Sequence, residues 1–209
     1  PARRWKVFEE GYWTSGTNPC GEIMLKSKQF CNLSECVVRH DDTKETLLRK
    51  VRLASILGTI QATFTKFPYL RKVWQRNTEE ERLLGVSLTG IYDNPLLTTE
   101  GPELNELLAE LRLAARDANT EFAAKLGIPV SAAITCVKPS GTVSQLVDSA
   151  SGIHPRHAKY YVRRVRGDKK DPLSQFLVNQ GVPAEDCVYK PTQTTVFSFP
   201  IKAPDGITR

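Results

Sequence analysis

The sequence predicts an α/β fold in which helices and strands alternate along the chain. Two long segments carry apolar residues at helical spacing, which is typical of helices with one buried face. Between and after them lie short runs of strand length. Residues 83–91 and 132–137 are apolar enough for buried strands. Residues 195–201 show the alternating pattern of a further strand. Such alternation favours an α/β protein whose strands are largely parallel.

The first helix is expected to begin near Asp42, after a strand end at residues 37–39. Glu45 follows Asp42 by three positions, as in a capping box. The helix should stop before Pro68, because the residue preceding a proline disfavours the helical conformation. The residues predicted to form its buried face are Leu47, Val51, Ala54, Leu57 and Phe64.

The second helix is expected to follow Gly101-Pro102, since proline suits the first turn of a helix. It should end at Gly127-Ile128-Pro129, where glycine can close the last turn. The strand before it, at residues 83–91, is bounded by charges and by Asp93-Asn94-Pro95. The apolar stripe of this helix is predicted to consist of Leu104, Leu107, Leu108, Leu111, Ala115, Ala118 and Phe122.

An amide, a thiol and a carboxylate alternate in one short segment, at Asn18, Cys20 and Glu22. In an extended strand or a loop tip, alternating residues project to one side, so these groups would face the same small molecule. A thiol can lose a hydrogen atom, a carboxylate can accept a hydroxyl proton, and an amide can hydrogen-bond hydroxyls. The set suits radical chemistry on a polyol. The alternative is a turn that carries a buried cysteine.

A second candidate site is the loop Lys138-Pro139-Ser140-Gly141-Thr142-Val143-Ser144, between a predicted strand and a short helix. Small hydroxyl residues and glycine at a helix N-terminus favour anion binding, because unpaired backbone N–H groups point at the ligand. The loop lacks the Gly-Lys-Ser/Thr sequence of a Walker motif. Taken alone, it is also compatible with simple helix capping by serine or threonine.

Several motifs, in order along the chain, resemble ribonucleotide reductases, and above all the adenosylcobalamin-dependent (class II) ribonucleoside-triphosphate reductases. The resemblance covers nearly the whole chain. Because such enzymes run to several hundred residues, it implies that residues 1–209 are a fragment of the catalytic barrel domain, and no separate second domain is recognised. The matching stretches are residues 17–23, 29–35, 56–61, 69–71, 80–90 and 138–144.

The resemblance implies a role for each matching residue. Cys20 would carry the transient thiyl radical that abstracts the ribose 3′-hydrogen, and Glu22 would take the 3′-hydroxyl proton. Asn18 would hydrogen-bond the substrate radical. Cys31 resembles one of two thiols that supply the reducing equivalents and end as a disulfide, the other lying outside this chain. The residues that resemble the substrate-phosphate loop are Pro139, Ser140, Gly141, Thr142 and Ser144.

The short interval between Cys20 and Cys31 resembles class II enzymes, whereas class I enzymes place a longer insertion there. The resemblance therefore implies adenosylcobalamin as the radical source, and a ten-stranded α/β barrel whose central finger loop carries Cys20. It also implies a ribonucleoside triphosphate substrate, thioredoxin or a similar dithiol as reductant, and a monomeric complete enzyme. A class I-type ribonucleoside-diphosphate reductase large subunit is the alternative.

Composition limits the class of protein. The formal charge of +6 fits polyphosphate binding and would equally fit nucleic acid. Five cysteines, an odd number without framework spacing, indicate a reducing compartment, so a cytoplasmic location is expected. No apolar run of about 18 residues exists, and the first five residues show no apolar signal region, so neither a membrane span nor a secretory signal is expected.

A basic stretch at residues 156–170, interleaved with Tyr160 and Tyr161, supports the rival hypothesis of a single-stranded nucleic-acid-binding module without catalysis. The same alternation is typical of an amphipathic strand with a solvated charged face, and no nucleic-acid partner is expected.

The remaining thiols and histidines are not expected to form sites. Cys136 is interpreted as a core thiol of its strand, Cys187 as a loop thiol, and Cys36 does not form a C-x-x-C pair with Cys31. The H-x-x-H at residues 154–157 has no acidic or cysteine ligand nearby, so no metal site is expected.

Overall fold

The computed structural model describes residues 16–204. The expectation about the first five residues therefore lies outside the described residues. The described chain divides into two structural units, the first ending at Pro155 and the second beginning at Arg156. Both contain helices and strands, so the predicted α/β class is confirmed. That both units belong to one catalytic domain stays a prediction.

The first unit holds four strands, five α-helices and a short 3-10 helix (Ile91–Asp93) among its described residues. Its elements are β1 (Gly16–Thr17), β2 (Met24–Leu25), β3 (Asn32–Val37), α1 (Lys44–Gln61), α2 (Lys72–Glu81), β4 (Leu84–Thr89), α3 (Pro95–Thr98), α4 (Pro102–Leu126) and α5 (Val143–Leu146). The predicted ends of the two long helices, before Pro68 and at Gly127, are confirmed, and Gly127 closes α4 in the left-handed conformation.

Strands β3 and β4 pair in parallel, from Asn32 opposite Leu84 to Val37 opposite Thr89. The segment 132–136 runs parallel to the other side of β4, where the Leu84 N–H donates to the Ala133 carbonyl at 2.9 Å. The predicted strand at 132–137 is thus a neighbour of β4, but its predicted burial is wrong. Val137 is 66% exposed, because no strand among residues 16–155 pairs with the outer side of this segment.

Helices α1 and α4 pack on each other and cover the parallel strands. The apolar core between them consists of Cys36, Val38, Leu47, Val51, Ala54, Val86, Leu97, Leu107, Leu111 and Ala115. Where the helices cross, small polar residues allow close approach, and the Ser55 hydroxyl donates to the Ala115 carbonyl at 2.6 Å.

Three residues predicted for the buried helix faces are exposed instead. Leu57 is 64% exposed, because Ser55, Gly58 and Thr59 occupy the buried face of α1 next to α4 and β4. Phe64 lies beyond the end of α1, and Leu108 is 43% exposed because it lines an open cavity beside Leu111. At Leu57 the apolar spacing predicted a buried residue, but the small residues beside it form the contact.

The N-cap of α1 is Thr43 rather than Asp42. The Thr43 backbone N–H donates to Thr46 Oγ1 at 2.9 Å, and its hydroxyl accepts from the Thr46 N–H, so the capping box pairs these two residues. Asp42 instead accepts from the Arg39 N–H at 2.7 Å and pairs with Lys50 at 2.5 Å. The predicted helix start was therefore one residue early.

The second unit is a three-stranded antiparallel sheet with one helix. Its elements are β5 (Tyr160–Asp168), α6 (Pro172–Asn179), β6 (Ala184–Asp186) and β7 (Thr194–Lys202), in the sheet order β5-β7-β6. The strand predicted at 195–201 is confirmed. The expectation of largely parallel strands is wrong for this unit, because both of its pairings are antiparallel. In residues 16–204, no helix is long and apolar enough to cross a membrane.

Candidate active site

Strands β1 and β2 form an antiparallel hairpin whose loop contains the predicted thiol and carboxylate. Asn18 closes this loop, since its N–H donates to the Ile23 carbonyl and its side-chain oxygen accepts from the Ile23 N–H at 3.0 Å. Gly21 donates to the Asn18 carbonyl and has a φ of +82°, which glycine adopts without strain. The segment is thus a loop tip rather than an extended strand.

Glu22 is buried within the loop. Its side chain is 1% exposed, and neither carboxylate oxygen accepts a hydrogen bond of ordinary geometry from residues 16–204. Burial acts to raise the pKa of this carboxyl, but the Asn18 side chain, the Glu22 backbone amide and Lys138 together lower its pKa below the ordinary value. The result is an ionised carboxylate with open acceptor positions.

The two predicted redox thiols have different surroundings. Cys20 is exposed at the hairpin tip, and Cys31 is half-buried immediately before β3. Both sides of Cys31 are fixed, because the Asn32 N–H donates to the Leu83 carbonyl at 2.9 Å and Phe30 stacks on Trp74 at 4.9 Å. All five described cysteines are free thiols.

The predicted phosphate loop precedes helix α5, as the sequence indicated. The Ser140 hydroxyl donates to Glu35 Oε1 at 2.6 Å, and the Ser144 hydroxyl donates to the Gly141 carbonyl at 2.9 Å. Thr142 is exposed, and its side chain does not cap α5. A hydroxyl has one proton to donate, so Ser140 and Ser144 use theirs within the protein and Thr142 keeps its own.

The loop and the hairpin meet through Lys138, whose Nζ lies 3.7 Å from Glu22 Oε1. Cys136 lies nearby, and its pKa is raised to about 11 by burial and by the charge of Glu22. A Cβ built on Gly85 of β4 would lie 3.0 Å from Cys136 Sγ and 3.2 Å from Ile23 Cδ1. The hairpin and the segment 132–138 therefore pack on the same point of β4.

Four residues at this site were missed by the sequence analysis: Lys138, Cys136, Gly85 and Glu35. Cys136 was interpreted as a core thiol, yet it is only half-buried and lies beside Glu22. Lys138 begins the second candidate loop, and Glu35 and Gly85 lie in the matching stretches 29–35 and 80–90, but the sequence assigned no role to these three residues.

Two other thiols lie apart from this site. Cys36 is buried in the core, and burial raises its pKa to about 12. Cys187 is also buried, directly after β6, where the backbone N–H groups of Lys190 and Tyr189 lower its pKa. In residues 16–204, no group of three or more His, Cys, Asp and Glu side chains is placed to hold a metal ion.

The basic stretch of the second unit forms β5, an edge strand of the antiparallel sheet. Arg164 forms an ion pair with Glu185 of β6, and Lys169 pairs with Asp186 at 2.5 Å. Part of the positive charge is thus neutralised inside the unit. Arg164 and Arg166 are exposed, but Val162 and Val165 of the same strand are exposed too, so the predicted division of this strand into a buried face and a charged face is not observed.

Curated proteins similar to this chain are described as adenosylcobalamin-dependent ribonucleoside-triphosphate reductases. The one from Lactobacillus gasseri is 31% identical over 233 aligned residues, which cover 97% of this chain and 31% of the relative. The one from Euglena gracilis is 31% identical, and the aligned residues cover 92% of this chain and 26% of the relative. A crystal structure of a B12-dependent (class II) ribonucleotide reductase is 28% identical, with a TM-score of 0.71 over 93% of this chain and 30% of that chain.

The chain is homologous to a segment of the class II ribonucleotide reductases. The predicted family resemblance is thereby confirmed. No family model matches the chain. The chain spans less than a third of the length of the curated reductases it matches.

Proposed function

We propose that this chain is the part of a reductase catalytic barrel that carries the radical cysteine, and that the complete protein reduces ribonucleoside triphosphates to 2′-deoxyribonucleotides. The observation that carries the proposal is the hairpin with an exposed Cys20 two residues before a buried, ionised Glu22, whose oxygens accept no hydrogen bond of ordinary geometry from residues 16–204. Buried polar atoms are normally satisfied, so a substrate hydroxyl is the expected donor.

The hairpin residues then divide the chemistry among them. The Cys20 sulfur, after losing its hydrogen atom, abstracts the hydrogen from the ribose C3′, and Glu22 accepts the 3′-hydroxyl proton. The 2′-hydroxyl leaves as water. Cys31 and a second thiol outside this chain supply two electrons and two protons and become a disulfide, C2′ gains a hydrogen, and Cys20 returns its hydrogen to C3′.

Asn18 has a positioning role in this scheme. Its side-chain oxygen holds the loop closed through the Ile23 N–H, and its side chain also acts on the Glu22 carboxylate. The Asn18 amide thus helps to fix both the shape of the loop and the orientation of the Glu22 carboxylate. Its remaining N–H is available to donate to a substrate oxygen.

Adenosylcobalamin, when bound, would supply the one-electron oxidising equivalent that removes the hydrogen atom of Cys20. The exposed thiol at the hairpin tip fits this, because a separate group can approach the sulfur. The reductant expected for the disulfide is thioredoxin or a similar dithiol.

The phosphate loop is proposed to bind the substrate triphosphate through Thr142 and the loop backbone, with Ser140 and Ser144 shaping the loop. The barrel is supported by the parallel order of β3, β4 and the segment 132–136, whose outer side pairs with no strand among residues 16–155. Parallel sheets are normally covered on both faces and continued by further strands, which a ten-stranded barrel would provide.

The test uses the complete protein that contains this chain. It is supplied with a ribonucleoside triphosphate, adenosylcobalamin and a dithiol, with a chelator present to exclude iron and manganese. We expect deoxyribonucleotide over many turnovers. Activity that requires a metal-loaded second subunit would assign the protein to class I. Salt-dependent oligonucleotide binding without any reduction would favour the nucleic-acid-binding alternative.

A further inference from the structure

Lys138 joins the two halves of the candidate site. It is the first residue of the phosphate loop, and its Nζ lies 3.7 Å from Oε1 of Glu22, on the hairpin. The lysine side chain is 24% exposed, whereas the Glu22 side chain is 1% exposed. We propose that Lys138 is a positioning residue that holds the Glu22 carboxylate in place as the proton acceptor and links it to the phosphate loop. This inference rests on the proposed function.

A buried carboxylate requires a compensating charge. Removing a carboxylate from water strongly favours its neutral form, unless a cation lies close by. Among residues 16–204, Lys138 is the charged group that acts on Glu22, and the other titratable group facing it is the Cys136 thiol. That thiol has a pKa raised to about 11, so it is neutral near pH 7 and adds no charge. Lys138 is thus the charged group among these residues that favours the ionised form of Glu22, in addition to the Asn18 side chain and the Glu22 backbone amide.

The separation of the two groups matters as much as their charge. At 3.7 Å the ammonium attracts the carboxylate without occupying its lone pairs, since neither oxygen accepts a hydrogen bond of ordinary geometry. A direct hydrogen bond would compete with the substrate hydroxyl for the same oxygen. The arrangement thus favours the charged form and leaves it free to accept a proton.

The backbone of Lys138 is held in position from two sides. The preceding segment is bound to β4, where the Cys136 N–H donates to the Val86 carbonyl at 3.0 Å. On the other side, a Cβ at Gly152 would lie 3.1 Å from the Lys138 carbonyl oxygen, so the two backbones are closely packed. The ammonium is therefore presented to Glu22 from a fixed base, as a positioning group requires.

The test compares Lys138→Met and Lys138→Arg in the complete enzyme, with kcat and KM measured across pH. Methionine keeps the length and removes the charge, whereas arginine keeps the charge. An opposite charge at this range lowers the pKa of a carboxyl, so Lys138→Met should move the acid limb of kcat to higher pH. At pH values below the acid limb, kcat of Lys138→Met should be about tenfold lower than that of the wild type. KM for the triphosphate should change little. Lys138→Arg should restore the wild-type limb.

Lys26→Met is the matched control. Lys26 pairs with Glu81 at 3.4 Å, and their side chains are 19% and 2% exposed, so the pair resembles Lys138 and Glu22 in burial. Both substitutions should lower thermal stability, but Lys26→Met should leave the pH limb unmoved. A raised KM with an unmoved limb in Lys138→Met would show that Lys138 is a phosphate contact and would overturn the inference. A wild-type enzyme that reduces no ribonucleotide would instead refute the proposed function.

Discussion

The Ser140 hydroxyl donates a hydrogen bond to Glu35 Oε1 at 2.6 Å and so ties the phosphate loop to strand β3. Ser140 is 3% exposed, and its carbonyl accepts a further hydrogen bond from the Ser151 hydroxyl. The residue that the family resemblance assigns to phosphate binding is thus also a structural contact of the loop. Its two roles are separable by mutation.

We predict that Ser140→Ala lowers the stability of the complete protein, because the half-buried Glu35 carboxylate loses a donor, at a cost of about 1–3 kcal/mol. KM for the triphosphate should rise because the loop loses its shape. Thr142→Ala, in contrast, removes an exposed hydroxyl and should raise KM without a loss of stability. Thermal melting and steady-state kinetics check both. If Ser140→Ala raised KM at unchanged stability, Ser140 would be a direct phosphate ligand.

The two predicted redox cysteines should fail at different steps. Cys20→Ser should abolish both reduction and formation of a substrate radical, because an O–H bond is too strong to exchange a hydrogen atom in this way. Cys31→Ser should permit radical formation but prevent normal reductive turnover. Electron paramagnetic resonance and product analysis separate the two steps. Cys36→Ala serves as the control, since Cys36 is a core thiol with a pKa near 12 and should keep activity.

Full multiple-turnover activity of Cys31→Ser with a dithiol would contradict the reducing-pair assignment. A substrate radical formed by Cys20→Ser would contradict the thiyl assignment.

Glu22→Gln keeps the shape of the side chain and removes the base. We predict a loss of about 10²–10⁴-fold in kcat with little change in nucleotide binding, as is usual for a general base. Because the pKa of Glu22 lies below its ordinary value, the acid limb of wild-type kcat should also lie below the range of an ordinary glutamate. An unchanged kcat in Glu22→Gln would exclude Glu22 as the base.

The same residue predicts a pH dependence of stability. A carboxyl whose pKa is lower in the folded than in the unfolded protein stabilises the fold above its unfolded pKa, and this contribution is lost as pH falls through the folded pKa. The ordinary pKa of a glutamate is 4.5, so the wild type should lose stability relative to Glu22→Gln as pH falls below that value. Chemical unfolding at pH 7 and pH 4 measures it.

The sequence predicted the parts of this site that are local. The alternation of Asn18, Cys20 and Glu22, the limits of the two long helices and the strand before Gly90 follow from patterns within a few residues. The contacts that join these parts are not local: Ser140 and Glu35 are 105 residues apart, and no pattern in either segment names its partner. Lys138 and Glu22 are joined in the same way, through the packing of two segments on β4.

The errors in the predicted helices have a related cause. Apolar spacing counts large side chains, so it placed Leu57 in the core, whereas the small residues Ser55 and Gly58 let α1 approach α4 and Leu84 closely. The one-residue error at Asp42 arose because two neighbouring residues can both cap a helix. The structure uses Thr43 for the cap and Asp42 for Lys50.

Gly85 provides a test of how the site is supported. A Cβ there would lie 2.4 Å from Leu33 Cδ2, closer than carbon atoms approach, and within 3.2 Å of both Cys136 Sγ and Ile23 Cδ1. We predict that Gly85→Ala lowers stability by about 1–3 kcal/mol, as overpacking does. It should also lower kcat, because Ile23 follows Glu22 in the chain and Cys136 lies two residues before Lys138, so both partners of the ion pair are displaced.

Gly58→Ala is the matched control, since a Cβ at Gly58 meets the Leu84 side chain at 3.3 Å, a contact that a small side-chain shift relieves. Alanine favours a helix over glycine by up to about 1 kcal/mol, which offsets that contact, so stability and kcat should stay near wild type. A second change, Leu33→Ala, removes the atom nearest the new methyl group of Gly85→Ala and should recover part of the lost kcat. If Gly85→Ala destabilised the protein but left kcat intact, the hairpin would hold Glu22 without support from β4.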